Sequence, residues 1–253
     1  MSAPALRPLR IGEILDAGLS VYRRNARTLM GLSATVVVPF QALSAVVLLS
    51  TVSRAGEVPR ETFSIGSSRP DHAASVGANA ILTLAGAIVT VLVTAACVKA
   101  VSDIYLDQPA TVGASLRFAL RRVGALLLLE ILTLLGLAIA FLALVVPGVW
   151  LYAAWSVAVP ALLIEGCRGS GALRRSFRLV RKRWWHVAGV LVVASLMTSI
   201  VSGAIEGALL ALMLSGAASL TLTVILVSLT GAVASVLTRP FQAAVTTVLY
   251  YDL

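Results

Sequence analysis

Long uncharged apolar runs alternate along the chain with short segments dense in arginine. The runs at 28–53, 75–98, 123–146, 149–164, 184–205 and 219–251 approach or exceed the roughly 20 apolar residues needed to cross about 30 Å of hydrocarbon. They predict six transmembrane helices, the fourth of them short. Two other segments have a different period. At 1–27, Ile11, Ile14, Leu15, Gly18 and Tyr22 recur on one helical face beside Arg10, Arg23, Arg24 and Arg27, which predicts an amphipathic helix lying on a membrane surface. Within the basic loop at 165–183, Ser170 is placed to cap a second such helix. Its Leu173, Phe177, Val180 and Trp184 form one face and Arg174, Arg178 and Arg181 another. The basic face is expected to meet anionic headgroups while Phe177 and Trp184 embed among acyl chains.

Detail within the spans follows from single residues. Pro39 removes one helical hydrogen bond and predicts a kink, with Gln41 a candidate to satisfy the freed carbonyl. Asn79, Thr83, Gly86, Thr90 and Thr94 form one stripe of the second span, and Ala188, Ser195, Ser199, Ser202 and Glu206 one stripe of the fifth. Small and hydroxylated stripes suit close helix packing, and a polar path across the membrane has the same pattern. Pro147–Gly148 is a turn signal between the third and fourth spans, and Trp150, Tyr152 and Trp155 beside it suit an outer aromatic belt. Trp184 and Trp185 suit an inner one, next to His186. After Glu206 the chain has more residues than one crossing needs, so either the last two helices project beyond the bilayer or a re-entrant piece lies between them.

Charge turns this pattern into a topology. The segments at 1–27, 99–122 and 165–183 together hold sixteen of the 20 basic residues, against three in the polar loop at 54–71. Basic loops stay on the cytoplasmic side. The chain is therefore expected to be an all-α integral membrane protein: a six-span helical bundle in the cytoplasmic membrane of a bacterium, both termini cytoplasmic, with a surface segment at 1–27 and a membrane domain at 28–253. Composition agrees, with 59% hydrophobic residues, 12% charged and a mean hydropathy of +0.97. The net charge of +9 sits at the ends of apolar runs, which assigns it to lipid headgroups rather than nucleic acid. Cys97 and Cys167 are read as unpaired structural thiols.

Three charged residues within the apolar runs or at their end are candidates for function: Glu130, Arg239 and, just past the fifth run, Glu206. Arg239 precedes Pro240, so a local break is expected over 238–240. Glu130 lies at a matching depth from the same side and is expected to pair with Arg239 directly or through water, with Glu206 the fallback. The alternative is a helix that ends at Arg239, whose side chain then snorkels to the surface.

Four stretches resemble the bacterial membrane domain named after the glycerophosphoryl diester phosphodiesterases to which it is sometimes fused. They are RPLRIGEILDAGLSVYRRN at 7–25, VVPGVWLYAAWSVAVPALLIEG at 145–166, ALRRSFRLVRKRWW at 172–185 and LYYDL at 249–253. The resemblance implies a membrane domain without the phosphodiesterase chemistry, which belongs to a separate soluble domain. Family members often carry an arginine near position 154, here alanine, and continue past the YYDL with basic residues, which implies a shortened C-terminus here.

The only histidines are His72 and His186, and no Ser-His-Asp set, HExxH or phosphate loop is present in the sequence. The leading expectation is a non-catalytic membrane protein, without cofactor or metal, that organises, assists or regulates envelope proteins. Its partners would be the bilayer, anionic inner-leaflet headgroups and other membrane proteins. The alternative is a transporter or lipid-handling protein using Glu130 and Arg239. A cavity touching either residue favours the alternative, and a dry interior the first.

Overall fold

The computed structural model describes residues 9–56, 70–106, 108–167, 169–214 and 219–253. Most of the loop expected at 54–71, with Glu57 and Glu61, lies outside them, as do Arg7, Asp107 and Arg168. The described chain is helical, with no strand. In order it forms α1 (Ile11–Arg24), α2 (Ala26–Gly56), α3 (Pro70–Tyr105), α4 (Val112–Arg121), α5 (Val123–Ala143), α6 (Val145–Trp155) and α7 (Ala158–Glu165). Then come α8 (Ser170–Val180), one 3-10 turn (Arg181–Arg183), α9 (Trp184–Leu214) and α10 (Leu220–Asp252). Six stretches are long and apolar enough to cross a membrane: Ala26–Ser50, Ala80–Tyr105, Val123–Ala143, Val145–Glu165, Trp184–Ala211 and Thr221–Asp252.

The helix α10 is the hub, packing on α1, α2, α3 and α9. Its Ala244 is buried with Leu29 of α2 and with Ala100 and Val101 of α3. Its Val245, Val248 and Leu249 are buried with Ile14 of α1, Val180 of α8 and Val187 and Val190 of α9. The periodic face of α1 is thus spent on protein. A methyl group at Gly18 would lie 2.9 Å from Val245 Cγ2, so glycine sets how closely α1 approaches α10. At the start of α1 the Arg10 backbone N–H donates to the Glu13 carboxylate at 2.8 Å, satisfying one of the donors a helix start leaves open.

Several expectations are corrected. The helix α10 runs unbroken through Arg239 and Pro240, and α2 continues through Pro39. The break expected at 238–240 is absent, and so is the helix end at Arg239. A membrane helix tolerates the bond that Pro240 removes from the Val236 carbonyl; Thr238 Oγ1 donates to a different carbonyl, that of Ala234, at 2.8 Å. Gln41 is engaged elsewhere, accepting from Ser44 Oγ at 3.1 Å and lying against Gly231 of α10. The chain reverses at Leu144, which is extended, while Pro147 and Gly148 sit inside α6, where a first-turn proline loses no helical bond. A further break at Ser156–Val157, unforeseen, separates α6 from α7. Gly166 then ends α7 in the left-handed region at φ 72°, a conformation that suits glycine. Ser170 is the first residue of α8, not its cap.

Placement of the aromatic residues also differs. Trp150 is not across the molecule from Trp184: the Trp184 indole N–H donates to the Trp150 carbonyl at 3.0 Å, and the Phe177 ring meets the Trp150 ring edge-on at 5.2 Å. The cause is that α8 buries its apolar face on α6 and α7, with Ser176 Oγ donating to the Ala154 carbonyl at 2.8 Å. Phe177 and Trp184 are therefore half-buried in protein, and Trp185, 83% exposed, is the ring that faces outward. The helices α9 and α10, 31 and 33 residues long, span about 46 and 50 Å at 1.5 Å per residue. Among the described residues, no re-entrant piece lies between them.

Candidate functional site

Two cavities lie in series along α10. The first, about 310 Å³, is lined on α10 by Arg239, Gln242 and Thr246 and takes Glu130, Thr133 and Leu137 from α5. Thr94 and Val98 of α3, Trp155 of α6 and Ser195 of α9 also face it. The second, about 320 Å³, continues from Gln242 and Arg239 to Gly231 and adds Ser202 and Glu206 of α9 and Gln41 of α2. Arg239 and Gln242 line both.

The lining follows from helix registers. α9 and α10 run antiparallel, with Arg183 Nη1 3.4 Å from Asp252 Oδ2 at one end and Gln242 Nε2 donating to Thr198 Oγ1 at 3.2 Å further along. That register brings Ser195 level with the first cavity and Ser202 and Glu206 level with the second, so part of one polar stripe of α9 serves both. Arg239 stands thirteen residues before Asp252, or about 20 Å along the helix. Gln242 is one turn away on the same face.

All three intramembrane candidates are brought to this system. Glu130 and Arg239 share the first cavity but form no direct ion pair: no carboxylate of a described residue lies within 4.0 Å of the guanidinium. Glu206, the fallback partner, is in the second cavity and is likewise not bonded to it. The lining groups missed were Gln242 and Gln41, with Thr198 the residue that holds the Gln242 side chain. A signal for Gln242 was present, since a glutamine one turn from an intramembrane arginine shares its face.

A polar cluster closes the end of the molecule where α7, α8 and α10 meet. Arg175 Nε contacts both oxygens of Glu165 at 2.9 Å, and Tyr250 OH donates to Glu165 Oε1 at 2.6 Å. The bond to Glu165 holds the Arg175 guanidinium above its ordinary pKa. Tyr251 stacks on Tyr105 at 4.9 Å, and its hydroxyl lies 2.8 Å from Ser102 Oγ. Asp252, its side chain only 6% exposed, accepts from the Leu9 N–H at 2.9 Å. Arg174, Arg178 and Arg181 are exposed on α8. Cys97 is buried 3.5 Å from Ser33 Oγ, and both cysteines are free. No group of three or more His, Cys, Asp or Glu able to hold a metal is found among the described residues.

Six long apolar helices and paired cavities around an arginine make this a candidate multi-pass membrane protein with a polar site at Arg239, where the guanidinium is half-buried and Glu130 and Glu206 are exposed. Residues 109–253 match the family described as domain of unknown function DUF7847, and the chain belongs to that family. The matched part carries Glu130, Glu206, Arg239 and Gln242, while Gln41 and Thr94 precede it. No curated protein and no solved structure matches the chain.

Proposed function

We propose that this chain is a transport or lipid-handling protein that passes a polar group along α10 between its two cavities, with Arg239 and Gln242 at the crossing point. In this reading it is a six-span bundle of a bacterial cytoplasmic membrane with both termini inside, and it catalyses no bond-breaking step. The observation that carries it is the serial placement of the cavities, one with Glu130 and the other with Glu206, meeting at a guanidinium without an ion-pair partner among the described residues. A protein that only organised its neighbours would gain nothing from this arrangement, because a charge at such depth costs at least about 2.5 kcal/mol. The cavities therefore favour this reading over the organising one. The motif resemblance to the phosphodiesterase-associated membrane domain is retained as part of the proposal, as is contact of Arg174, Arg178 and Arg181 with anionic headgroups.

Thiol labelling tests it. With Cys97 and Cys167 replaced, Ser195→Cys and Ser202→Cys report on the first and second cavity, and Val192→Cys, 58% exposed on α9, is the lipid-facing control. Both cavity thiols should react with a small water-soluble reagent faster than the control. Equal or slower reaction at both would refute a polar path.

A further inference from the structure

We propose that Arg239 holds a singly charged oxyanion carried on a single-chain amphiphile, with the head at the junction of the two cavities and the chain in the first. This rests on the site described above and names the chemistry it accepts. The guanidinium is half-buried within a span and carries five donors in a planar fork. Among the described residues no hydrogen bond, ion pair or ring contact uses it. Donors left open in so apolar a setting are costly, and a carboxylate or phosphodiester oxygen pair matches the fork's geometry. Gln242 adds a second polar contact already positioned by its bond to Thr198.

The rest of the first cavity sets the remainder of the ligand. Leu137, Trp155, Val159 and Leu191 give it an apolar wall, which suits a hydrocarbon chain and not a hydrated ion. Its volume of about 310 Å³ is at the lower end for ligand pockets and suits one short chain rather than a diacyl lipid. Glu130 on the same lining disfavours a second negative charge, so the head is a monoanion.

The test uses the full chain in phosphatidylcholine nanodiscs, titrated with 12-bromododecanoate and read by bromine quenching of tryptophan fluorescence. Quenching should saturate, and Trp155→Phe should remove the saturable part, because Trp155 is the one tryptophan on the cavity wall. Arg239→Gln should weaken binding roughly tenfold or more, and Arg239→Lys should fall between, since lysine keeps the charge without the fork. Helicity and elution volume check that each variant is folded. Neutral 12-bromododecanol should give no saturable quenching, and acetate at equal concentration should not displace the acid. Equal saturation by the alcohol, or unchanged binding in both Arg239 variants, would overturn the proposal. Displacement by acetate would assign the site to free oxyanions and remove the amphiphile. No saturable quenching by the acid would end the inference but leave the thiol result for the polar path intact.

Discussion

The hydroxyl of Tyr250 donates to the carboxylate of Glu165 at 2.6 Å, joining the last turn of α10 to the end of α7 across 85 positions of sequence. Arg175 of α8 grips the same carboxylate through both oxygens. One acid thereby ties three helices at the end of the molecule where the basic segments gather. A hydrogen bond to a charged group contributes about 1.5 to 3 kcal/mol, and partial exposure puts this one near the low end. Tyr250→Phe should lower the melting temperature by a few degrees. In a double-mutant cycle with Glu165→Ala the losses should be clearly less than additive, and additive losses would show that the bond contributes nothing.

Asp252 makes a stronger prediction because it is nearly enclosed. It holds the Leu9 N–H, just ahead of α1, and Arg183, just ahead of α9. Asp252→Ala should cost about 2 to 3 kcal/mol and free the start of α1. Limited proteolysis reads this directly: cleavage near residues 9–24 should accelerate, with α9 and α10 remaining intact. Unchanged cleavage would mean that α1 is held by its apolar face alone.

The contact of Gly18 with Val245 predicts an asymmetric pair of substitutions. Gly18→Ala brings a methyl within 2.9 Å of a valine carbon and should destabilise by about 1 to 3 kcal/mol. Gly12→Ala, on the same helix with nothing within 4 Å of the new carbon, should be neutral or slightly stabilising. Adding Val245→Ala should recover part of the Gly18→Ala loss, as read by thermal unfolding in detergent. Equal effects at Gly12 and Gly18 would contradict the packing.

Orientation is tested in intact cells. A thiol reagent confined to the outside should modify Ser64→Cys and spare Ser170→Cys, in a background lacking Cys97 and Cys167. The opposite pattern would invert the topology.

Much of the architecture was legible in one dimension. Hydropathy adds residue by residue, so six apolar stretches and the arginine-rich segments between them stand out without knowledge of what each packs against. The same local logic picked out Glu130, Glu206, Arg239 and the stripe of Ser195 and Ser202, because a polar group in an apolar run is costly wherever the helix lies. The proline rule was overread at Pro240, since it omits the neighbours that keep α10 continuous there. The apolar face of α8 was assigned to lipid because periodicity says that a face is buried, not in what. Only the tertiary structure decided that α6 and α7 cover it, that Trp150 meets Trp184, and that LYYDL ties α1, α3, α7 and α8 together. It also decided that Glu130 and Glu206 fall in different cavities on either side of Arg239. That outcome depends on the register of α5 and α9 against α10, which packing over many small contacts sets and no spacing along the chain records.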